Sequence, residues 1–216
     1  MGTITQNIKR ILSELSTGVQ LVTVAKGRTV IEIKEAVNAG ANIIGENYLQ
    51  ETLAVQPAVG GSVQWHFIGH LQKNKVKQAV NAFNMIETVD SFDLALEIGK
   101  RSRQIGKIMP VLIEINSGCE PNKSGVMPQA ALELVKQISV LPDIKVQGLM
   151  TMGPVTEVAS EVQPYFKLTR RLFEEIRALK YPNVDMLVLS MGMSDSYRIA
   201  IEEGANMIRI GRGIFG

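Results

Sequence analysis

One cysteine, Cys119, stands in a chain of 216 residues. A single thiol cannot close an intrachain disulfide, so a disulfide-stapled scaffold is excluded and a reducing compartment suits the chain. Cys119 also lacks the paired ligands a zinc site needs, and it reads as a structural or incidental thiol. No apolar run reaches membrane-spanning length. The opening MGTITQNIKR has no apolar signal-peptide core, and Gln6 stands where a myristoylation signal needs Ser or Thr. Charge of one sign is scarce. With 23 Lys+Arg against 21 Asp+Glu the net charge is +2, too small and too dispersed for a nucleic-acid partner. The densest basic run, QKNKVK at 72–77, reads as a solvated helix face. These absences leave a cytoplasmic protein with neither nucleic acid nor membrane as partner.

What is there is a chain 45% hydrophobic and 20% charged, large enough to bury a core without a staple. Eight β-rich runs recur at 21–25, 42–45, 64–68, 84–88, 109–115, 144–150, 185–190 and 206–210. Several are apolar throughout, as in parallel strands covered on both faces. Amphipathic segments lie between them at 29–39, 46–56, 72–82, 91–105, 127–139, 157–179 and 194–203. Ser91 reads as an N-cap and Gly40 as a helix-ending C′ residue. Eight strands alternating with helices predict an α/β fold, a single (β/α)₈ TIM-type barrel over 1–216, with a doubly wound open sheet as the alternative. No Pro/Gly/Ser-rich linker divides the chain. Ile4, Ile8, Ile11, Leu12 and Leu15 make one apolar face of a leading helix within 1–18. The chain ends at GRGIFG with no eighth helix, so the leading helix is expected to cover that wall.

Polar and glycine-rich residues gather after the strands, at the end where barrel enzymes keep their sites. LVTVA at 21–25 runs into Lys26. A lysine at the C-terminal rim of strand 1, facing a pocket, is expected to be partly desolvated and available as a nucleophile toward a carbonyl. Ser190, Gly192 and Ser194 follow strand 7, and Gly211 and Gly213 follow strand 8. Amides at such turns favour an anion, and barrel phosphate sites commonly use these two loops. Plain turn chemistry, with Ser194 or Asp195 as N-cap, is the competing account. Arg209 lies inside strand 8 and needs a partner there. A Schiff-base lysine with a phosphate cradle suits a phosphorylated aldehyde: a sugar phosphate, or pyridoxal 5′-phosphate (PLP).

The stretches VTVAKGR, IGENYLQE, WHFIGHLQKNK, INSGCEPNKSGV, GLMTMGP and LSMGMSDSYRIAIEEGANMIRIGRGIFG, in this order from about residue 20 to the end, resemble the pyridoxal phosphate homeostasis protein family. That family is related to the N-terminal barrel of alanine racemase, a fold-type III PLP protein here without the C-terminal β domain. The resemblance implies PLP held covalently on Lys26 as an internal aldimine. It implies phosphate contacts from Ser190 and from the backbone of Gly211 and Arg212, and Arg209 facing the pyridine nitrogen. Asn47, His70, Met152 and the turn Gly192, Met193, Ser194 are expected to line the pocket. KGR replaces a more usual threonine after the lysine. His66 reads as a core histidine and His70 as a rim residue. Methionines 150, 152, 191 and 193 read first as packing.

An arginine on the ring nitrogen stays protonated and leaves that nitrogen unprotonated, which mutes carbanion chemistry. With every residue used by the barrel, no second domain is expected to supply a second acid–base. The implied function is therefore a monomeric PLP-binding protein of PLP (vitamin B6) and amino-acid homeostasis, without catalytic residues and with no metal. Amino or keto acids and PLP-dependent apoenzymes are the partners this allows. A racemase-like PLP enzyme, a Schiff-base aldolase, or a regulator whose PLP state a partner reads are the alternatives.

Overall fold

Apolar runs that must be covered on both faces close into a ring in the computed structural model, which describes residues 2–61, 63–154 and 158–216. The chain runs through α1 (Ile4–Glu14), β1 (Gln20–Val24), α2 (Val30–Asn38), β2 (Ile43–Glu46), α3 (Leu49–Val59), β3 (Gln64–Phe67), α4 (Val76–Ala82), β4 (Met85–Val89) and α5 (Phe92–Gln104). It continues through β5 (Met109–Glu114), α6 (Ala131–Ile138), β6 (Ile144–Met150), α7 (Gln163–Leu179), β7 (Val184–Ser190), α8 (Tyr197–Glu202), β8 (Met207–Ile210) and α9 (Arg212–Phe215). The strands form one closed barrel in chain order. β1 closes it against β8 in parallel register, Leu21 opposite Ile208 and Val22 opposite Arg209. The open-sheet alternative is thereby excluded.

Strand periodicity sorts the side chains into two layers. Leu21, Ala25, Trp65, Phe67, Ile113, Ile115, Ile208 and Ile210 join the shell packed between strands and helices. Alternate positions point inward. Val22, Ile43 and Met207 pack together there with Val188, and Met85, Leu112 and Met150 form a second cluster on the same Val188. One step further along the strands the inward positions turn polar: His66, Glu87, Glu114, Ser190 and Arg209 are all buried. The barrel thus has an apolar floor beneath a polar upper layer.

The leading helix starts at a Thr3–Gln6 capping box. It buries Ile8 and Ile11 and packs on α2 and α9. Asn7 donates to Ile214 O at 2.9 Å, and Glu14 accepts from the Tyr197 hydroxyl and from Arg198 at 2.6 Å. The segment after β8, read as bare chain, instead forms the four-residue α9. α8 begins at Tyr197, three residues later than the sequence suggests, with Ser196 at the N-cap position. The residue at 157, where the amphipathic reading of 157–179 begins, lies outside the described residues. Among the described residues no helix is long and apolar enough to cross a membrane.

Candidate functional site at the barrel rim

β1 ends at Val24, but Ala25 N–H still donates to Gly45 O at 2.9 Å, so the inward/outward alternation carries Lys26 to the inner side of the mouth. Lys26, expected at the rim with its amine partly desolvated, is exposed there, and its ammonium lies 5.2 Å from the centre of the Tyr48 ring. The reason is local. The chain turns at Gly27 (φ 68°), whose N–H donates to Glu51 Oε2 at 2.9 Å, and this sets the lysine on the rim rather than under it. Arg28 lies over Phe215 at 5.0 Å and donates to Gly216 O, which ties this loop to the end of the chain. Sequence reasoning saw in KGR only a missing threonine.

Beneath the mouth runs a buried chain of hydrogen bonds. His66 Nδ1 donates to Glu87 Oε1 at 2.7 Å, because a carboxylate only accepts. Ser190 Oγ donates to Glu87 Oε2 at 2.7 Å and accepts from Arg209 Nη1 at 2.6 Å. Arg209 Nη2 donates to Thr151 O at 2.9 Å. Burial alone would push the Glu87 carboxyl up; the His66 hydrogen bond and the charges of His66 and Arg209 win, holding it below the ordinary value. Burial pulls Arg209 down from its ordinary value, opposed by Glu87 and Glu114. The far nitrogen of His66, Nε2, has no partner among the described residues. Ser190, expected at the phosphate, is fully buried and its one proton goes to Glu87.

Beside this chain a cavity of about 320 Å³ opens at the rim between the loops that follow β2, β3, β5 and β6. It brings Asn47, His70 and Met152 together as expected neighbours, with Glu114, Asn116 and Lys123. Lys26, Ser190 and Arg209 are not among its walls. The loop after β3 reaches Asn47 because residue 69 is glycine: a Cβ there would stand 2.2 Å from Asn47 O. Met152 and His70 are exposed at the mouth, whereas Met150 and Met191 are packed in the interior.

On the other side, the loops after β7 and β8 are latched to each other. Arg209 N–H donates to Gly192 O at 3.0 Å, and Gly213 N–H donates to Ser194 Oγ at 3.0 Å. Asp195 pairs with Arg212 at 2.6 Å. Neither Ser194 nor Asp195 is therefore an N-cap; each is used across the two loops. Gly192 (φ 94°) lets the turn fold onto α8, where a Cβ would meet Ala200 Cβ at 2.6 Å. Met193 is exposed beside it.

Sequence reasoning missed three buried carboxyls: Glu46, Glu87 and Glu114. Each had a readable signal, an acid inside an apolar run (IIGEN, MIETV, VLIEI). Burial, with Glu51 nearby, pushes Glu46 up to about 7. Burial, with Asp90 nearby, pushes Glu114 up to about 7.

The sequence matches the family model described as alanine racemase, N-terminal domain, over residues 1–216. The pyridoxal phosphate homeostasis protein of Aquifex aeolicus is 43% identical over 185 residues, covering 85% of this chain and 80% of that one. The chain belongs to the pyridoxal phosphate homeostasis protein family. PipY of Synechococcus elongatus, solved with PLP bound, superposes on this barrel with a TM-score of 0.91 at 31% identity, over 99% of this chain and 100% of that chain. Alanine racemase from Clostridium difficile, with a TM-score of 0.79 at 15% identity over 99% of this chain and 55% of that one, shares the fold. For the pyridoxal phosphate homeostasis protein family, then, this chain sets an exposed lysine on the rim of β1, a buried arginine below it, and a cavity alongside.

Proposed function

We propose that this protein binds PLP at the barrel rim through Lys26 and serves PLP (vitamin B6) and amino-acid homeostasis as a cytoplasmic carrier, without turning over a substrate of its own. The observation that carries this reading is the amine of Lys26, exposed at the C-terminal rim in inward register above the guanidinium of Arg209. The residues present suit the group. Of its five N–H donors, Arg209 directs bonds to only two acceptors among the described residues, which leaves donors for a ring nitrogen. The adjoining cavity of about 320 Å³ is of ligand-site size.

PLP, when bound, would supply an electrophilic carbon derived from its aldehyde and, when its ring nitrogen is protonated, an electron sink. Arg209 would hold that nitrogen as an acceptor, since arginine keeps its proton. The amides of Gly211 and Arg212 open α9, where N–H groups have no intrahelical acceptor, and they would hold the phosphate. Ser190 joins them only by turning its single proton away from Glu87. Asn47, His70, Met152 and the Gly192–Met193–Ser194 turn would border the ring. The protein is read as a monomer, with amino or keto acids and PLP-dependent apoenzymes as its partners.

Borohydride reduction of the purified protein, followed by peptide mapping, tests this directly. The phosphopyridoxyl group is expected on Lys26, and Lys26→Ala is expected to lose the visible absorbance band; a label on Lys123 would refute the assignment. PLP is expected to bind at least about tenfold more tightly than pyridoxal, the equivalent of one charge-assisted hydrogen bond. Cα–H exchange of alanine, serine and glutamate in deuterated water is expected to run no faster than with free PLP. Turnover near 1 s⁻¹, the low end of enzyme rates, would make this an enzyme instead.

A further inference from the structure

The rim cavity has a buried acid in its wall. Several of the polar groups around it are engaged within the fold. Thr88 Oγ1 donates to Gly69 O at 2.6 Å, and Ser117 Oγ bonds Thr151 Oγ1 at 2.8 Å. The Asn116 side chain donates to Glu120 O and accepts from Glu120 N–H. Lys123 is paired with Glu120 at 2.6 Å. Glu114 is different. It alternates with Ile113 and Ile115, which belong to the outer shell, so its carboxyl points inward and lines the cavity. It is 6% exposed, and among the described residues no hydrogen bond or ion pair reaches that carboxyl. Its carboxyl faces the cavity, and a carboxylate so far removed from bulk water is favoured by an occupant that donates a hydrogen bond to it.

We propose that this cavity is the entry subsite for a small primary amine arriving as an ammonium ion, and that Glu114 receives the ammonium and takes its proton. The proposal rests on the PLP-binding reading, since the neutral amine is the form that would add to the electrophilic carbon of PLP held on Lys26. A primary amine with a pKa of about 10.4 is neutral in roughly one molecule in a few thousand at pH 7, so a nearby base governs how fast the reactive form appears. The step balances: R–NH₃⁺ and the Glu114 carboxylate give R–NH₂ and the Glu114 carboxylic acid, and water later removes that proton. A carboxyl poised at about 7 is matched to this work. The groups that act on it are Asp90 at the end of β4, which opposes ionisation, and Arg209 on β8, which favours it. His70 from the loop after β3 and the Lys123–Glu120 pair after β5 face the same cavity nearer the mouth.

Ethylamine, alanine and pyruvate, each added to the PLP-loaded protein, separate the possibilities, with the change in visible absorbance followed by stopped flow between pH 5.5 and 8.5. Wild type is expected to respond to both amines, with a rate that falls as pH drops through about 7. Pyruvate, with no amine, is expected to give no response. Glu114→Gln is expected to lower the amine rate at pH 7.5 at least tenfold and to erase the step near neutrality. Glu114→Asp, with the carboxyl one methylene further back, is expected to restore the step at a reduced rate. The thermal midpoint and PLP content of each variant show that the fold and cofactor are intact. Loaded Glu114→Gln protein that reacts within twofold of wild type and keeps the step would overturn this proposal alone. A wild-type protein that borohydride does not label would overturn the PLP reading first and this proposal with it. Alanine responding while ethylamine does not would overturn the assignment to amines in general.

Discussion

Glu87 and Glu114 stand on adjacent strands of one barrel, both inward and both buried, yet their carboxyls shift in opposite directions. Glu87 accepts from His66 and Ser190 and lies near the Arg209 charge, so its ionised form is held below the ordinary value despite full burial. Glu114 carries a burial penalty too, with no hydrogen-bond donor among the described residues and a like charge nearby in Asp90, and it rises to about 7. Depth in the fold therefore does not set the character of a buried acid; the donors around it do. One acid is part of the scaffold that fixes Arg209. The other is left facing space.

Removing the charge at Glu87 is the strongest way to break this contrast. Glu87→Gln keeps the shape but takes from Arg209, 3% exposed, the stronger of its two counter-charges, leaving Glu114 alone. Stability is expected to fall by about 3–5 kcal/mol in urea denaturation near pH 7, as for other broken buried pairs. A loss under about 1 kcal/mol would mean that Arg209 finds its compensation elsewhere. Because the folded carboxyl of Glu87 sits below its unfolded value, its contribution is present above the ordinary carboxylate range and lost as pH falls through the lower folded value.

The same substitution at Glu114 should act with the opposite sign. The folded carboxyl is raised from 4.5 to about 7, so folding favours the protonated form. Stability from this group is full below the unfolded value and declines between pH 4.5 and about 7. Glu114→Gln is therefore expected to be neutral near pH 4 and to stabilise at pH 8 by up to about 3 kcal/mol. Denaturation curves at the two pH values check this, and a destabilised variant at pH 8 would reveal a partner for Glu114.

A smaller effect sharpens the scaffold side of the comparison. Ser190→Ala removes the hydroxyl between Glu87 and Arg209 without removing either charge. A loss of about 2 kcal/mol is expected, the size of hydrogen bonds to charged groups. In the Glu87→Gln background the same change should produce much less, because the two residues act in one network. Strict additivity of the two losses would show that the serine does not couple the pair.

How far the sequence could be read differs between these regions for a physical reason. Lys26, Asn47 and the two glycine loops were legible because each sits just after a run of apolar residues, and a parallel barrel gathers all strand ends at one face. The acids were passed over because they lie inside such runs, where the apolar neighbours in MIETV and VLIEI dominate the pattern. Ser190 was legible as a rim residue, but its partner was not: nothing local connects residue 190 to residue 87. The rim position of Lys26 was legible from strand register, whereas its exposure was not, because its depth is set by the Gly27 turn and the Glu51 acceptor.

By itself the sequence determined the alternation of strands and helices, hence a closed eight-stranded barrel, together with the chemistry available at its rim. Those are consequences of periodicity and spacing, which are local. Only the tertiary structure decided that His66, Glu87, Ser190 and Arg209, from β3, β4, β7 and β8, meet in one hydrogen-bonded chain while Glu114 meets no donor among the described residues. Closing the barrel brings these distant strands face to face, and the state of a buried charge depends on what then lies within hydrogen-bonding distance.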